Sequence, residues 1–253
     1  MSRALLEAAE ELARHIGAVA LRHYRTVLTV ETKDDGSPVT IADRESEQAA
    51  HAWLAAHFPD DGVHGEEFGE RPGTSGRMWV IDPIDGTKSF VRGVPLWGSL
   101  VALVEGKKVL VGAAYFPAVD ELIVAAPGRG CWWNGERARV SETSTLAGAA
   151  VLITDDRTFS REAWRDGWHT LASEAGLARG WGDCYGYLLV ATGRAEAMVD
   201  PIVNPWDAAC FQPIIEEAGG VFTDLNGKPT SFSGTALATN KALSFAIRDH
   251  FDD

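Results

Sequence analysis

Cysteine is scarce in this 253-residue sequence: only Cys131, Cys184 and Cys210 occur, odd in number, widely spaced and without a C-x-x-C pair. That pattern excludes a disulfide framework and a zinc cluster, and it points to a reducing, cytoplasmic setting. Positive charge is short as well. Lys and Arg number 23 against 36 Asp and Glu, giving a formal net charge of −13 and a pI near 5.0. With no Lys/Arg cluster, a non-specific nucleic-acid or anionic-membrane binder is excluded. No apolar run approaches the roughly 18 residues of a membrane span. Glutamates interrupt the first amphipathic turns of MSRALLEAAEELARH, which argues against a signal peptide. The seven histidines show no metal-ligand spacing and read as structural or surface residues.

What is present is the balance of an ordinary globular protein, 45% hydrophobic and 23% charged, so disordered and fibrous classes fall away. Leu5, Leu6, Ala9, Leu12, Ala13, Ile16 and Ala20 recur at helical spacing. Turn formers follow at residues 33–38, and a second helix carrying Ala49, Ala50, Trp53 and Leu54 stops at Pro59. From Met78 to about Val140 the pattern is that of strands, in MWVID, SLVALVEG, KVLVGAAYF and ELIVAAP, with a hairpin at Asn134-Gly135. Beyond about residue 145 the segments alternate: AAVLIT, a helix near 160–176, YGYLLVATGR, AEAMVD, a helix from Pro205, GGVFTD, and a helix after Asn240. The order predicts an α+β first half and an α/β second half packed as layers. One compact unit over 1–253 is expected, with subdomains 1–143 and 144–253.

The chemistry concentrates in Trp79-Val80-Ile81-Asp82-Pro83-Ile84-Asp85-Gly86-Thr87. An apolar strand delivers Asp82 and Asp85 into a turn where their hard oxygens can converge on Mg²⁺ or Mn²⁺. Gly86 lets the backbone approach a ligand, and amides opening a helical turn bind phosphate. Taken alone, the block also reads as a polar turn after a core strand. Glu66 follows an extended stretch, DDGVHGEE, and taken alone reads equally as a solvated acid. Asn204 reads as a helix cap, Pro205 as the first helical residue, and Asp207 as a first-turn acid favoured by the helix dipole.

Together the VTIAD segment, the GEE, the W-V-I-D-P-I-D-G-T block, LLVATGRAEAMVD and the W-D-x-A…E-A-G-G end resemble the inositol monophosphatase superfamily over nearly the whole chain. The resemblance implies an αβαβα layered sandwich of the inositol monophosphatase and fructose-1,6-bisphosphatase type. It also implies a phosphatase using two to three Mg²⁺ ions and, as relatives commonly do, forming a homodimer. Carried over residue by residue, Glu66, Asp82 and the Ile84 carbonyl would hold one ion, and Asp82, Asp85 and Asp207 a second. A looser third ion would lie beside Glu66, with Lys33 in the nearby loop. The amides of Gly86 and Thr87 would contact phosphate, and Asp43 would pair with the Thr87 hydroxyl to orient the attacking water. Four to six added positive charges would make this acidic site attractive to a phosphate dianion.

Substrate choice is expected in the second half, the 144–253 subdomain, with the metal site in the first. The run Arg179-Gly180-Trp181-Gly182-Asp183-Cys184-Tyr185-Gly186-Tyr187 resembles the superfamily's histidinol-phosphatase branch of actinobacteria and plants, and Asp200 matches the acidic position that contacts substrate in inositol-specific relatives. Asp183 and Asp200 would meet the ammonium and imidazolium of L-histidinol phosphate, with Trp181 or Tyr185 as a face for the ring. The plainer reading leaves the two aromatics in the core and Asp183 as a helix cap. Cys184 and Cys210 read as small core residues. The alternatives are an inositol-1-phosphatase or broad sugar-phosphate monoesterase and a 3′-nucleotidase, which shares Lys88 but for which added basic residues are missing. A regulatory subunit without turnover is a further alternative, opposed by the intact set Asp43, Glu66, Asp82, Asp85, Thr87 and Asp207.

Overall fold

The apolar stripe predicted near the N-terminus lies on one face of α1 (Arg3–His23), where Ala9, Leu12, Ala13, Ile16 and Ala20 are buried. The structure, a computed structural model, describes residues 3–34 and 36–252; Met1, Ser2, Asp253 and Asp35 of the predicted 33–38 turn lie outside the described residues. A short antiparallel ribbon, β1 (Glu31–Thr32) and β2 (Pro38–Val39), brackets that turn. α2 (Ile41–His57) opens on a capping box between Thr40 and Asp43 and ends before Pro59.

Eight strands then form one sheet: β3 (Gly62–Gly65), β4 (Gly69–Arg71), β5 (Arg77–Asp85), β6 (Gly98–Glu105), β7 (Lys108–Phe116), β8 (Glu121–Ala126), β9 (Gly130–Trp133) and β10 (Glu136–Arg137). The order across the sheet is β10-β9-β8-β7-β6-β5-β3-β4, antiparallel except for β3 beside β5. Both faces are covered, which is why β6 and β7 read as near-continuous apolar runs. Along β6, Val101 and Leu103 face α1 and α2, whereas Leu100, Ala102 and Val104 face the other way, into the core shared with the second sheet. The one-turn helix α3 (Thr87–Phe90) follows β5.

The second half supplies β11 (Ala150–Ile153), α4 (Glu162–Glu174), β12 (Leu177–Arg179), α5 (Cys184–Ala191), β13 (Ala197–Asp200), α6 (Pro205–Ala208), α7 (Phe211–Glu217), β14 (Val221–Thr223), β15 (Ala236–Thr239) and α8 (Ser244–Arg248). Its sheet runs β12-β11-β13-β15-β14, with β12, β11 and β13 mutually parallel. α5 and α7 lie between the sheets, and α4 and α8 cover the outer face of the smaller one, completing the αβαβα layers. Three expectations change in detail. Within LLVATGRAEAMVD only the part up to Ala191 is helix and AMVD is a strand, and the helix from Pro205 divides into α6 and α7. β12 and β15 were not anticipated. Among the described residues no helix is long and apolar enough to cross a membrane.

Candidate active site

Strand alternation would put Asp82 and Asp85 on opposite faces of the sheet, since side chains repeat every second residue. Here Asp82 pairs with Leu100 but Asp85 pairs with Gly98, so one extra residue is accommodated between them as a bulge. Ile84 turns its side chain into a small cluster with Ala20, Ala42, Phe90 and Trp97, and the two aspartates are left facing the same way. Asp207 joins them from the first turn of α6, where the capping box holds it: the Asn204 amide donates to its Oδ2 at 2.7 Å. Oxygen atoms of Asp82, Asp85 and Asp207 all lie within 4.8 Å of one another.

Asp82 is only 2% exposed, and it accepts a hydrogen bond from the Ile84 amide at 2.9 Å. Burial, followed by the neighbouring charges of Glu66, Asp85 and Asp207, pushes its carboxyl well above the usual range. Burial, then Asp183 and Asp207, pushes Asp85 up in the same way. Asp207 rises to about 6, chiefly through burial, with the Asn204 amide opposing the rise and Glu66 adding to it. Buried carboxylates crowded on one another are costly unless protonated or matched by a cation. A hard divalent cation taking oxygen ligands fits this donor set.

Glu66 sits in the turn joining β3 to β4, its Oε1 accepting from Lys33 Nζ at 2.8 Å, while Glu67 accepts from the same ammonium at 2.6 Å. Burial would lower the Lys33 pKa, but those two hydrogen bonds reverse the effect and raise it. Burial pushes Glu67 up to about 7, with Lys33 opposing and Glu66 adding. Glu47 was not singled out from the sequence, although it stands one helical turn beyond Asp43. Its fully buried carboxylate accepts from the Glu67 amide at 2.8 Å and the Phe68 amide at 2.9 Å.

Asp43 works in two directions. Its Oδ2 accepts the Thr40 amide and hydroxyl, each at 2.7 Å, while its Oδ1 lies 3.3 Å from Thr87 Oγ1. That hydroxyl also lies 3.0 Å from the Ile84 carbonyl. Burial raises the Asp43 pKa against the hydrogen bonds from Thr40 and Thr87. Gly86 sits at φ +84°, in the left-handed region, and turns the chain into α3. A Cβ there would stand 3.0 Å from the Leu96 carbonyl oxygen and 3.3 Å from Asp183 Oδ2.

The last measurement puts Asp183 at the site. Asp183 precedes α5 with no side-chain capping bond, at φ +51° and ψ −157°, a conformation almost confined to glycine and costing on the order of 1–3 kcal/mol. Its amide donates to Thr154 Oγ1 at 2.8 Å, and the Cys184 amide donates to Asp85 Oδ2. Burial raises its pKa while Lys88 lowers it, with a net rise. Thr154 follows β11 and Asp200 ends β13, adjacent in the parallel register Ile153↔Val199. Asp200 is 5% exposed and accepts from the Tyr187 hydroxyl at 2.8 Å and from Thr154. Burial pushes it up to about 7 against those two donors. Asp85, Asp183, Asp200, Asp207, Thr154, Tyr187 and Ile202 help to line one cavity of about 70 Å³. Thr154 escaped the sequence reading because it stands in no motif, and Tyr187, although it closes the Arg179–Tyr187 run, was given no role there.

The aromatics divide. Trp181 is 42% exposed and lies outside that lining. Tyr185 points away: its hydroxyl donates to Glu121 at 2.9 Å, and its ring packs edge-on against Phe116 and under Arg194. As a platform for a substrate ring Tyr185 is therefore set aside.

Layered sheets with a carboxylate cluster at the end of β5, beside the left-handed turn that opens α3, fit the class of phosphatases whose acids could hold a metal ion. Solved structures agree on the fold. The extragenic suppressor protein suhB from Bartonella henselae superposes with a TM-score of 0.92 at 26% identity, covering 98% of each chain. An IMPase of Thermotoga maritima gives 0.87 at 30% identity, covering 97% of this chain and 96% of that one. The sequence profile of the inositol monophosphatase family matches residues 1–250, and the chain belongs to that family. It is similar to the histidinol-phosphatase of Chlorobaculum parvum, 45% identical over 241 residues covering 94% of this chain and 93% of that protein. The histidinol-phosphatase of Mycobacterium tuberculosis is 39% identical over 249 residues, covering 96% and 93%.

Proposed function

We propose that this enzyme hydrolyses L-histidinol phosphate to L-histidinol and phosphate, a step of histidine biosynthesis, with Mg²⁺ at the Glu66, Asp82, Asp85 and Asp207 carboxylates and the Ile84 carbonyl. The observation that carries the substrate reading is the second pair of acids, Asp183 and Asp200, on the cavity wall beside Asp85. A phosphate and its metals do not call for extra negative charge there, whereas a substrate with an ammonium beside its phosphate-bearing carbon does. The histidinol-phosphatase relatives support the same reading.

Bound divalent ions would acidify water and offset charge on the leaving oxygen. The chain's own groups account for the rest. Amides of Gly86 and Thr87 hold the phosphoryl oxygens at the start of α3. Thr87 orients the attacking water through its hydroxyl, and Asp43, kept basic by burial, takes up the proton as the water oxygen bonds to phosphorus. The ester P–O bond breaks on the opposite side, and the departing alkoxide takes a proton from solvent water, the resulting hydroxide being neutralised by the proton held on Asp43. Asp200 and Asp183 hold the substrate's cationic groups and so fix which face of phosphorus meets the water.

Phosphate release from a panel of monoesters, with and without Mg²⁺, tests the proposal. Preference for histidinol phosphate is expected; preference for inositol 1-phosphate would move the assignment to the inositol or sugar-phosphate monoesterase reading. Three free cysteines, all buried, support the cytoplasmic placement. Sedimentation of the purified chain tests the proposed homodimer.

A further inference from the structure

Asp43, Glu47 and His51 follow one another at four-residue steps along α2 and so form one stripe on its surface. Asp43 reaches Thr87; Glu47, one turn on, reaches the Glu66 turn. The fit there is close on both flanks of Glu66. Beyond it, the Glu67 and Phe68 amides both donate to the Glu47 carboxylate. Before it, Gly65 leaves no room for a side chain, because a Cβ would stand 2.0 Å from Glu47 Oε1. The carboxylate thus fills the inside of the turn, and His51 Nε2 lies 3.5 Å from it. A fully buried carboxylate would be expensive here without its donors, and its two donors are the amides of that turn.

We infer that Glu47 is a positioning residue for the divalent-cation site: by holding the two amides that follow Glu66 and packing against Gly65 before it, it directs the Glu66 carboxylate towards Asp82. α2 then acts as one rigid rule with two marks, Asp43 setting the Thr87 turn and Glu47 setting the Glu66 turn. The inference rests on the proposed role of Glu66 as a metal ligand. Groups that orient metal ligands through hydrogen bonds change metal affinity by about 10- to 100-fold when replaced.

The test is Glu47→Gln in the full-length chain, an isosteric change that turns one acceptor into a donor facing an amide. Calorimetric titration with Mg²⁺ should give binding weaker by about 10- to 100-fold. KM for the phosphate ester at saturating Mg²⁺ should shift far less. Gly65→Ala approaches the same carboxylate from the other flank and should weaken Mg²⁺ binding likewise. Its methyl meets the carboxylate end of the Glu47 side chain rather than backbone, so Glu47 is what must shift to admit it, and the variant decides the matter if Glu47→Gln fails to fold. Unchanged Mg²⁺ affinity in the folded variants, with only a lower melting temperature, would overturn the inference and leave Glu47 a structural residue. Glu66→Gln separates the two levels: if it leaves Mg²⁺ binding intact, the metal reading itself has failed, whatever Glu47 does.

Discussion

Asp200→Asn is the substitution that bears most directly on substrate choice. The change removes a charge but keeps an oxygen for the Tyr187 hydroxyl and the Thr154 hydroxyl, so the end of β13 should stay in place. Asp200 is 5% exposed, which makes its contact with a cationic substrate a desolvated one. Removing one side of such a pair costs about 2–5 kcal/mol. At about 1.4 kcal/mol per factor of ten, kcat/KM for histidinol phosphate should fall by about 30- to 5,000-fold. p-Nitrophenyl phosphate and glycerol 2-phosphate carry no cation and should lose far less. Asp183 is partly exposed and has Lys88 nearby, so Asp183→Asn should fall at the low end of that range. A pH signature goes with it. Asp200 at about 7 is neutral on the acid side, so the parent's preference for the charged ester should shrink as pH drops below 7, and the Asn variant should show no such trend. The assay is phosphate release across pH 5.5–8 on both substrate types. Equal losses on charged and uncharged esters would refute the reasoning and reduce Asp200 to a support of the cavity wall.

Thr87→Ala should lower kcat by about 10²–10⁴-fold, the usual scale for losing a positioned acid–base group, with KM much less affected; a rise in KM alone would make Thr87 a binding residue. Asp82→Asn should abolish turnover yet raise the melting temperature of the metal-free protein at pH 8, because it removes a charge from a crowded buried cluster; retention of activity within tenfold would sink the metal assignment. Carboxyls whose pKa rises on folding hold their protons more tightly in the folded state, so they favour folding at low pH and lose that contribution as pH climbs through their folded values, about 6 for Asp207 and about 7 for Asp200. Metal-free protein should therefore melt at lower temperature at pH 8 than at pH 5, and added Mg²⁺ should raise the melting temperature more at pH 8. The opposite order in a thermal scan would contradict it.

Much of the site was legible because its carboxylates stand in motifs with their own local logic: a strand ending in D-P-I-D-G-T, and a cap, a proline and an acid opening α6. What convergence required was not. Nothing in Pro83-Ile84 announces a bulge, since the extra residue exists only relative to β6 across the sheet. Glu47 was readable in principle, one turn from Asp43, but glutamates on helix surfaces are common, and only the Gly65 turn pressed against it shows its use. Tyr185 misled because it lies two residues from Asp183 in sequence, whereas positions two apart along a helix turn by about 200°, and α5 sends it towards Glu121 instead. β15 was hidden by composition: Ala236-Leu237-Ala238-Thr239 has little strand propensity, and its place between β13 and β14 is decided by tertiary pairing.

The bulge in β5 makes the pair of aspartates a question of parity. Were β5 to pair regularly with β6 at the same spacing of three, Asp85 would still exist, still be acidic and still sit near the end of the strand, but it would address α1 and α2 across the sheet from its partner. Spacing and bulge therefore belong together: the bulge brings an odd offset back to one side, and what must survive is the mismatch against β6, while Pro83 as a residue type is open to exchange. Deleting position 83 would remove the bulge and leave the aspartates two apart, still on one side but one residue closer along the strand. An insertion elsewhere in the strand would move every side chain beyond it to the other face unless a second bulge took it up.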